Sequence, residues 1–281
     1  MPSPIRESAM NERHNRAAIA GVSAVLLLAV AAMAGPWLAP SDPFTQELPR
    51  RLEPPSWRHP LGSDELGRDI LSRLLAGAGV SLEVGAAVVL LAGGFGTLVG
   101  GLAGYVGGRL DAFISVIVIN SLMAFPGILL AIALVAFLGP GLNRTVFALA
   151  AVGWVGYARL ARGQVMKAKT LEFVEAARAL GARRRRIFFL HILPAIAQPV
   201  LVQASVGMAA AVMAEASLSF LGLGIVPPNP SWGAMLNDGR NHLFDAPHMV
   251  IFPAAALATT VLAFNFLGDA LRDWLDPKSA Q

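Results

Sequence analysis

The 281-residue sequence has no cysteine. Disulfides, thiolate nucleophiles and thiolate metal sites are therefore excluded. Charge is scarce too: 14% of residues are Asp, Glu, Lys or Arg, against about 25% in a soluble domain. The three lysines, Lys167, Lys169 and Lys278, do not follow glycine, so the chain lacks a G-x-x-x-x-G-K-[S/T] loop to hold a nucleotide phosphate. Its five histidines form no H-E-x-x-H, and no G-x-S-x-G occurs, which removes the common sequence patterns of zinc and serine hydrolases. What is abundant is apolar: 55% of residues are hydrophobic and the mean hydropathy is +0.60, the composition of a membrane protein. The pI near 10.1 does not point to nucleic acid, because the basic residues cluster beside hydrophobic spans, as positive-inside topology requires.

Residues 1–16 are polar and carry Arg6, Arg13 and Arg16. Ala17 to Leu38 follows without a charge and matches the roughly 20 residues a span needs. Ala32-Met33-Ala34-Gly35 imitates a signal-peptidase site, but the apolar run is longer than a signal core and Trp37 suits an interface anchor, so the segment is expected to be kept. Residues 39–77 contain prolines at 40, 43, 49, 54, 55 and 60, which break continuous helix and indicate an ordered, wrapping outer loop. Within it Ser63 is a candidate N-cap for an amphipathic run in which Leu66, Ile70 and Leu74 share a face. His59 and the nearby carboxylates are interleaved with Arg68 and Arg73 and lack metal-ligand spacing.

Val84 to Gly108 is the second span, with Gly96, Gly100 and Gly104 forming a small-residue stripe for close helix packing. Ala112 to Leu138, the third, is broken by Phe125-Pro126-Gly127. Thr145 to Ala158 offers only 14 uncharged residues, short for a span. Placing it in the membrane nevertheless puts 15 of the 22 Lys and Arg on one side, which the bias of basic loops toward the cytoplasm favours. Ile192 to Ala214 and Met249 to Gly268 complete six spans. Glu215 is the one carboxylate near a span's interior, a functional candidate by default; the reading adopted is structural, with hydrogen bonds to Ser217, Ser219 or a neighbouring helix near the watery outer surface. Asn265 is read as helix glue.

Thr170 to Pro194 is the most basic stretch of the chain. Thr170 is expected to cap a short helix over Leu171–Leu180 with Glu172 in its first turn, ended by Gly181 in a left-handed conformation. Phe173, Ala176, Ala177 and Leu180 fall at helical spacing on one apolar face, away from Glu172, Glu175 and Arg178. Two alanines in that face suit close approach by another protein's groove. Arg183 to Arg186 then lead to Leu193-Pro194.

Glu175-Ala176-Ala177, Gly181 and Leu193-Pro194 resemble the coupling loop in the membrane subunits of ATP-binding-cassette importers, with His191 where the general pattern has isoleucine. The phrases His59 to Asp69, Glu215 to Gly224 and Asp269 to Pro277 are similar to those of the dipeptide, oligopeptide and nickel branch of that family. The resemblance implies an all-α permease with six transmembrane helices and a cytoplasmic coupling helix between spans 4 and 5. It also implies a second homologous permease forming a heterodimer, two ATPase subunits that carry the ATP and Mg, and a periplasmic or lipid-anchored solute-binding protein. Glu172, Phe173, Glu175, Ala176, Ala177, Leu180, Gly181, Leu193 and Pro194 would serve ATPase coupling, and Trp57 and Trp232 would meet the binding protein.

The organisation expected is a cytoplasmic N-terminus (1–16), a first span (17–38), an outer segment (39–77), a core permease domain (78–269) with the coupling loop at about 159–193, and a cytoplasmic tail (270–281). The setting is the bacterial inner membrane, in contact with lipid, with both termini inside. The cargo implied is di- or oligopeptides, with nickel or another small solute as the alternative. A stand-alone secondary transporter, the reading from another class, would want ionisable groups in mid-membrane, and the spans offer almost none.

Overall fold

The computed structural model describes residues 4–275. Residues 1–3 and the end of the tail, with Lys278, lie outside the described residues. The regular elements are helices: α1 (Pro4–Leu38), α2 (Ile70–Val106), α3 (Gly108–Ala112), α4 (Asn120–Met123), α5 (Gly127–Leu138), α6 (Leu142–Ala168), α7 (Glu172–Ala179), α8 (Arg184–Ile187), α9 (Leu193–Ala195), α10 (Ala197–Phe220), α11 (Trp232–Gly239) and α12 (His248–Leu275). By length and apolarity α2, α10 and α12 can each cross a membrane, and the pair running from Gly108 to Met123 and from Gly127 to Leu138 makes a fourth crossing if taken as one bent span.

Helix α2 is the central post, packed against α6, α1 and α10. The glycine stripe sets its closest crossing. A Cβ on Gly96 would meet the Trp154 carbonyl, one on Gly100 the Ala158 backbone, and one on Gly104 the Arg162 carbonyl. Each helix thus presents every fourth residue to the other, and the backbones touch because no side chain stands between them. The fourth, short apolar run becomes a 27-residue helix: α6 continues past its uncharged stretch through Arg159 and Arg162. Arg162 can be accommodated there because Nε and Nη2 bond both oxygens of Asp111, at 2.5 and 2.8 Å. That ion pair fastens the turn after α2 to α6.

Between Met123 and Gly127 the third span breaks, and its two halves meet at 82°. Pro126 keeps Phe125 from continuing as helix and itself supplies no N–H, so α5 has to start afresh. A second proline shapes the entry to α10. Residues Phe188–Ile192 form a π turn just before Pro194, a widening that accommodates a ring and a missing donor inside a helical run.

The second span starts earlier than its uncharged stretch implied. Asp69, not Ser63, is the N-cap of α2, its Oδ2 accepting from the Ser72 N–H at 2.7 Å. Ser63 is instead fully buried and donates to the Arg50 carbonyl. Leu66 consequently lies in the turn before the helix. Polar residues extend α2 beyond its uncharged stretch because Arg73 is neutralised by Asp64 and by the distant Asp238, a long-range effect with no trace in the local pattern.

Candidate functional site

One end of the helical bundle is built around α7. Lys169 Nζ donates to the Gly104 carbonyl at 3.0 Å, tying the end of α6 back to α2. Thr170, expected to cap α7, donates its hydroxyl to the Lys167 carbonyl at 2.9 Å and so finishes α6. Leu171 occupies the N-cap position with no side-chain bond. Glu172 and Glu175 in the first turn complement the helix dipole. The C-terminus closes as expected at Gly181, with φ +80°. Ala182 N–H reaches the Ala177 carbonyl and Gly181 N–H the Arg178 carbonyl, both at 3.0 Å, the bond pair of a Schellman ending.

Burial divides the expected apolar face. Val174 and Ala177 turn inward onto Val165, Ala168, Ile187 and Phe188. Phe173 and Leu180 are 44% and 88% exposed, and Ala176 is exposed between them. Ala177, expected at the outward face, is therefore an anchor that holds α7 to the bundle; the free apolar ridge is Leu171, Phe173, Ala176 and Leu180. Leu193 packs partly against the same inner cluster and Pro194 is exposed. Arg183 to Arg186 are all exposed.

The opposite end of the bundle is a cap formed by residues 39–69 and α11. Asp64 is its hub: it accepts from Arg68 Nε at 2.7 Å and from Arg73, and its Oδ1 takes the N–H groups of Leu66 and Arg68, both at 2.9 Å. Arg68 and Arg73 also reach Asp238 of α11, at 3.5 and 3.4 Å. Burial pushes the Asp238 carboxyl above its usual range, against the opposing pull of Arg73 and Arg68. His59 Nδ1 lies 2.9 Å from Asp69 Oδ1. Asp64, Asp69 and Asp238 are thus matched by Arg68, Arg73 and His59 of the same cap, which clasp it together.

Trp232 corrects another expectation. It is 1% exposed, stacked on Gly77 with its indole N–H donating to the Leu74 carbonyl at 3.0 Å, so it pins α11 to α2 and offers nothing to an external protein. Trp57 is fully exposed.

Glu215 is also fully buried, so the expectation that water reaches it fails. Its carboxylate accepts from Ser219 at 2.7 Å and from Ser81 of α2 at 3.3 Å. Ser219 passes the link on by accepting from the Ile225 N–H. Ser217 turns away to the Met213 carbonyl. Glu215 thereby ties α10 to α2 and to the loop beyond it, the structural role expected, through Ser219 and a neighbouring helix as expected but not through Ser217. Asn265 is half-buried and makes no side-chain hydrogen bond among the described residues of this chain.

Comparison with known proteins agrees with this architecture. The family described as "Binding-protein-dependent transport system inner membrane component" matches residues 96–281, and "N-terminal TM domain of oligopeptide transport permease C" matches residues 3–55. A di/tripeptide transport system permease protein of Pseudomonas aeruginosa is 42% identical, with 99% of this chain and 93% of the relative covered. A glutathione transport system permease protein of Pectobacterium atrosepticum is 47% identical over 95% of this chain and 88% of the relative. A dipeptide transport system permease protein of Bacillus subtilis is 43% identical over 95% and 83%. An all-helical chain with several bilayer-length apolar helices, matched over most of its length by one family, belongs to the binding-protein-dependent inner-membrane transport components, the multi-pass permease subunits of ATP-binding-cassette importers.

Proposed function

We propose that this permease forms half of the pathway of a di- or oligopeptide importer and that the ridge on α7 is where an ATPase subunit grips it. The observation that carries the coupling role is the two-sided build of α7. Val174 and Ala177 clamp it to the inner bundle while Phe173, Ala176 and Leu180 remain uncovered beside the exposed Glu172 and Glu175. A helix of eight residues is too short to hold itself together in water, so its rigidity comes from this anchoring, and a push on its outer face is passed to α6 and to the π turn leading into α10. Gly181 lets the chain turn back immediately, and Leu193 and Pro194 join the loop to α10.

The peptide cargo is supported by the names of the relatives, and the absence of a phosphate-binding loop in the sequence requires ATP and Mg to be bound by other chains. The assembly proposed is a heterodimer with a second permease, two ATPase subunits and an external solute-binding protein that meets the outer cap near Trp57. Six spans, with α1 first and α6 fourth, put both termini and α7 in the cytoplasm and the cap outside.

The test is reconstitution of the whole complex in liposomes. Peptide-loaded binding protein should stimulate ATP hydrolysis and drive peptide uptake. A labelling cysteine at position 57 or 244, both fully exposed, should react from outside, and one at 180 only from inside. A permease that purifies without ATPase subunits, or external labelling at 180, would overturn the reading.

A further inference from the structure

Four consecutive arginines, Arg183–Arg186, lead into and form most of α8, and all four are exposed. None of their side chains makes a hydrogen bond or an ion pair among the described residues, although Glu172 and Glu175 stand on the neighbouring α7. The contrast with Arg68, Arg73 and Arg162 is informative, because each of those meets a carboxylate of this chain. Whatever counters the charge of α8 comes from outside the chain.

The structure fixes the depth of this turn against α2. From Val84, just after Glu83, to Tyr105 the helix carries no charge, and it rises about 30 Å at 1.5 Å per residue, the thickness of a bilayer's hydrocarbon core. Tyr105 thus stands where the apolar run ends, a position that tyrosine favours in membrane helices. Its hydroxyl donates to the Arg184 carbonyl at 3.2 Å, and its ring lies 5.5 Å from that of Phe188. Ile187 and Phe188 are buried in the cluster beneath α7, so the turn is pinned there. The arginines are held level with the bilayer surface.

Directly after them, Phe189 and Leu190 are 50% and 63% exposed. An acidic protein surface would answer the arginines and leave these two apolar side chains in water. A bilayer boundary suits both, because arginine reaches the head groups along its apolar stem while the residues beside it meet acyl chains. Guanidinium forks match phosphate oxygens, and a cluster of four basic residues next to a span draws anionic lipid.

We infer that Arg183–Arg186 form a docking surface for the phosphates of anionic phospholipids, with Phe189 and Leu190 set against the acyl chains. The inference goes beyond the importer reading: it needs α2 to cross the bilayer and is independent of the cargo. The bias of basic loops toward the cytoplasm concerns the orientation of insertion and demands no bound lipid. Lipid held here braces the segment that joins α7 to α10 against the membrane.

The experiment reads the lipid next to this turn in the complete importer complex, reconstituted in liposomes of equal parts phosphatidylglycerol and phosphatidylcholine. Because the chain has no cysteine, Leu190→Cys, assembled with cysteine-free partner subunits, takes a single fluorescent label, and acyl-chain bromine on one lipid or the other quenches it. Brominated phosphatidylglycerol should quench the label more strongly than brominated phosphatidylcholine. Arg184→Gln with Arg185→Gln should lower that preference about twentyfold, at roughly fivefold for each basic side chain near an anionic surface, while the ATPase subunits still co-purify. Arg184→Lys with Arg185→Lys should retain most of the preference. Lys167→Gln with Arg178→Gln removes the same charge from exposed positions of the same loop and should leave the preference in place. Equal quenching by the two lipids in the parent complex, no quenching by either, an unchanged preference in the glutamine pair, or an equal loss in the Lys167 and Arg178 control would each overturn the inference. Loss of the ATPase subunits from the glutamine pair would also overturn it, by assigning the arginines to a protein surface.

Discussion

Neighbouring alanines in α7 should behave in opposite ways, and the structure supplies the magnitudes. Ala177 sits in the inner cluster at 9% exposure, with Val165, Val174, Ile187 and Phe188 as its surroundings. A tryptophan there has no space, and forcing large groups into a packed core costs about 1–3 kcal/mol. The helix is held to the bundle chiefly by Val174 and Ala177, and burying a valine contributes about 1.5–3 kcal/mol. The two figures are of the same size, so Ala177→Trp should unfasten α7. Ala176, one residue earlier, is exposed; a substitution there changes the stability of the chain by at most about 0.5 kcal/mol, yet a tryptophan in the middle of the ridge would hold an ATPase groove away from Phe173 and Leu180.

Both variants should insert normally, since Ala176 is exposed and, of the long helices, Ala177 meets only the end of α6 that lies beyond its uncharged stretch. Ala176→Trp should retain the thermal stability of the purified permease and lose ATPase co-purification and uptake. Ala177→Trp should lose these and also show increased proteolysis between residues 170 and 183. A charge control, Arg184→Gln with Arg185→Gln, should leave association in place. Wild-type ATPase association and uptake in Ala176→Trp would refute the docking ridge, and protease resistance in Ala177→Trp would refute the anchoring.

Trp232→Ala should cost about 3–5 kcal/mol, as for other buried aromatic residues, and lower the thermal midpoint of the permease. Trp57→Ala should leave that midpoint unchanged and weaken binding-protein stimulation of ATP hydrolysis; the reverse pattern would exchange their roles. Arg73→Met leaves Asp64 and Asp238 to Arg68 alone and should destabilise the cap by about 1.5–3 kcal/mol, the scale of a hydrogen bond to a charged group, read as faster cleavage within residues 42–58, whereas equal cleavage in mutant and wild type would show that the clasp does not hold the cap. Gly100→Leu drives a side chain into the Ala158 backbone, which cannot move aside as a side chain would, and should sharply reduce the amount of folded permease in the membrane; unaltered levels would contradict the α2–α6 contact.

How much of this was legible in the sequence depended on the range of the interaction. The glycines at 96, 100 and 104 signalled a close crossing, and Pro126 a break, because each acts on the backbone where it stands. Gly181 was legible for the same reason. Thr170 was misread because a hydroxyl between two helices can serve either one, and the choice was made by how α6 ends. Ser63 failed as a cap because Asp69 sits nearer the true start, and that start depends on Arg73 finding Asp64 and Asp238, the latter 165 residues away.

The sequence by itself determined that this is an all-helical membrane protein and where its apolar runs lie, because hydropathy and helix breakers are properties of neighbouring residues. Tertiary structure decided which side of each helix is free. It turned Ala177 and Trp232 inward and left Ala176 and Trp57 outward, sealed Glu215 among serines from two helices, and left Arg159 exposed while Arg162, three residues on, was paired. Periodicity identifies a face, but only the packed neighbours determine whether this chain covers that face or leaves it to a partner.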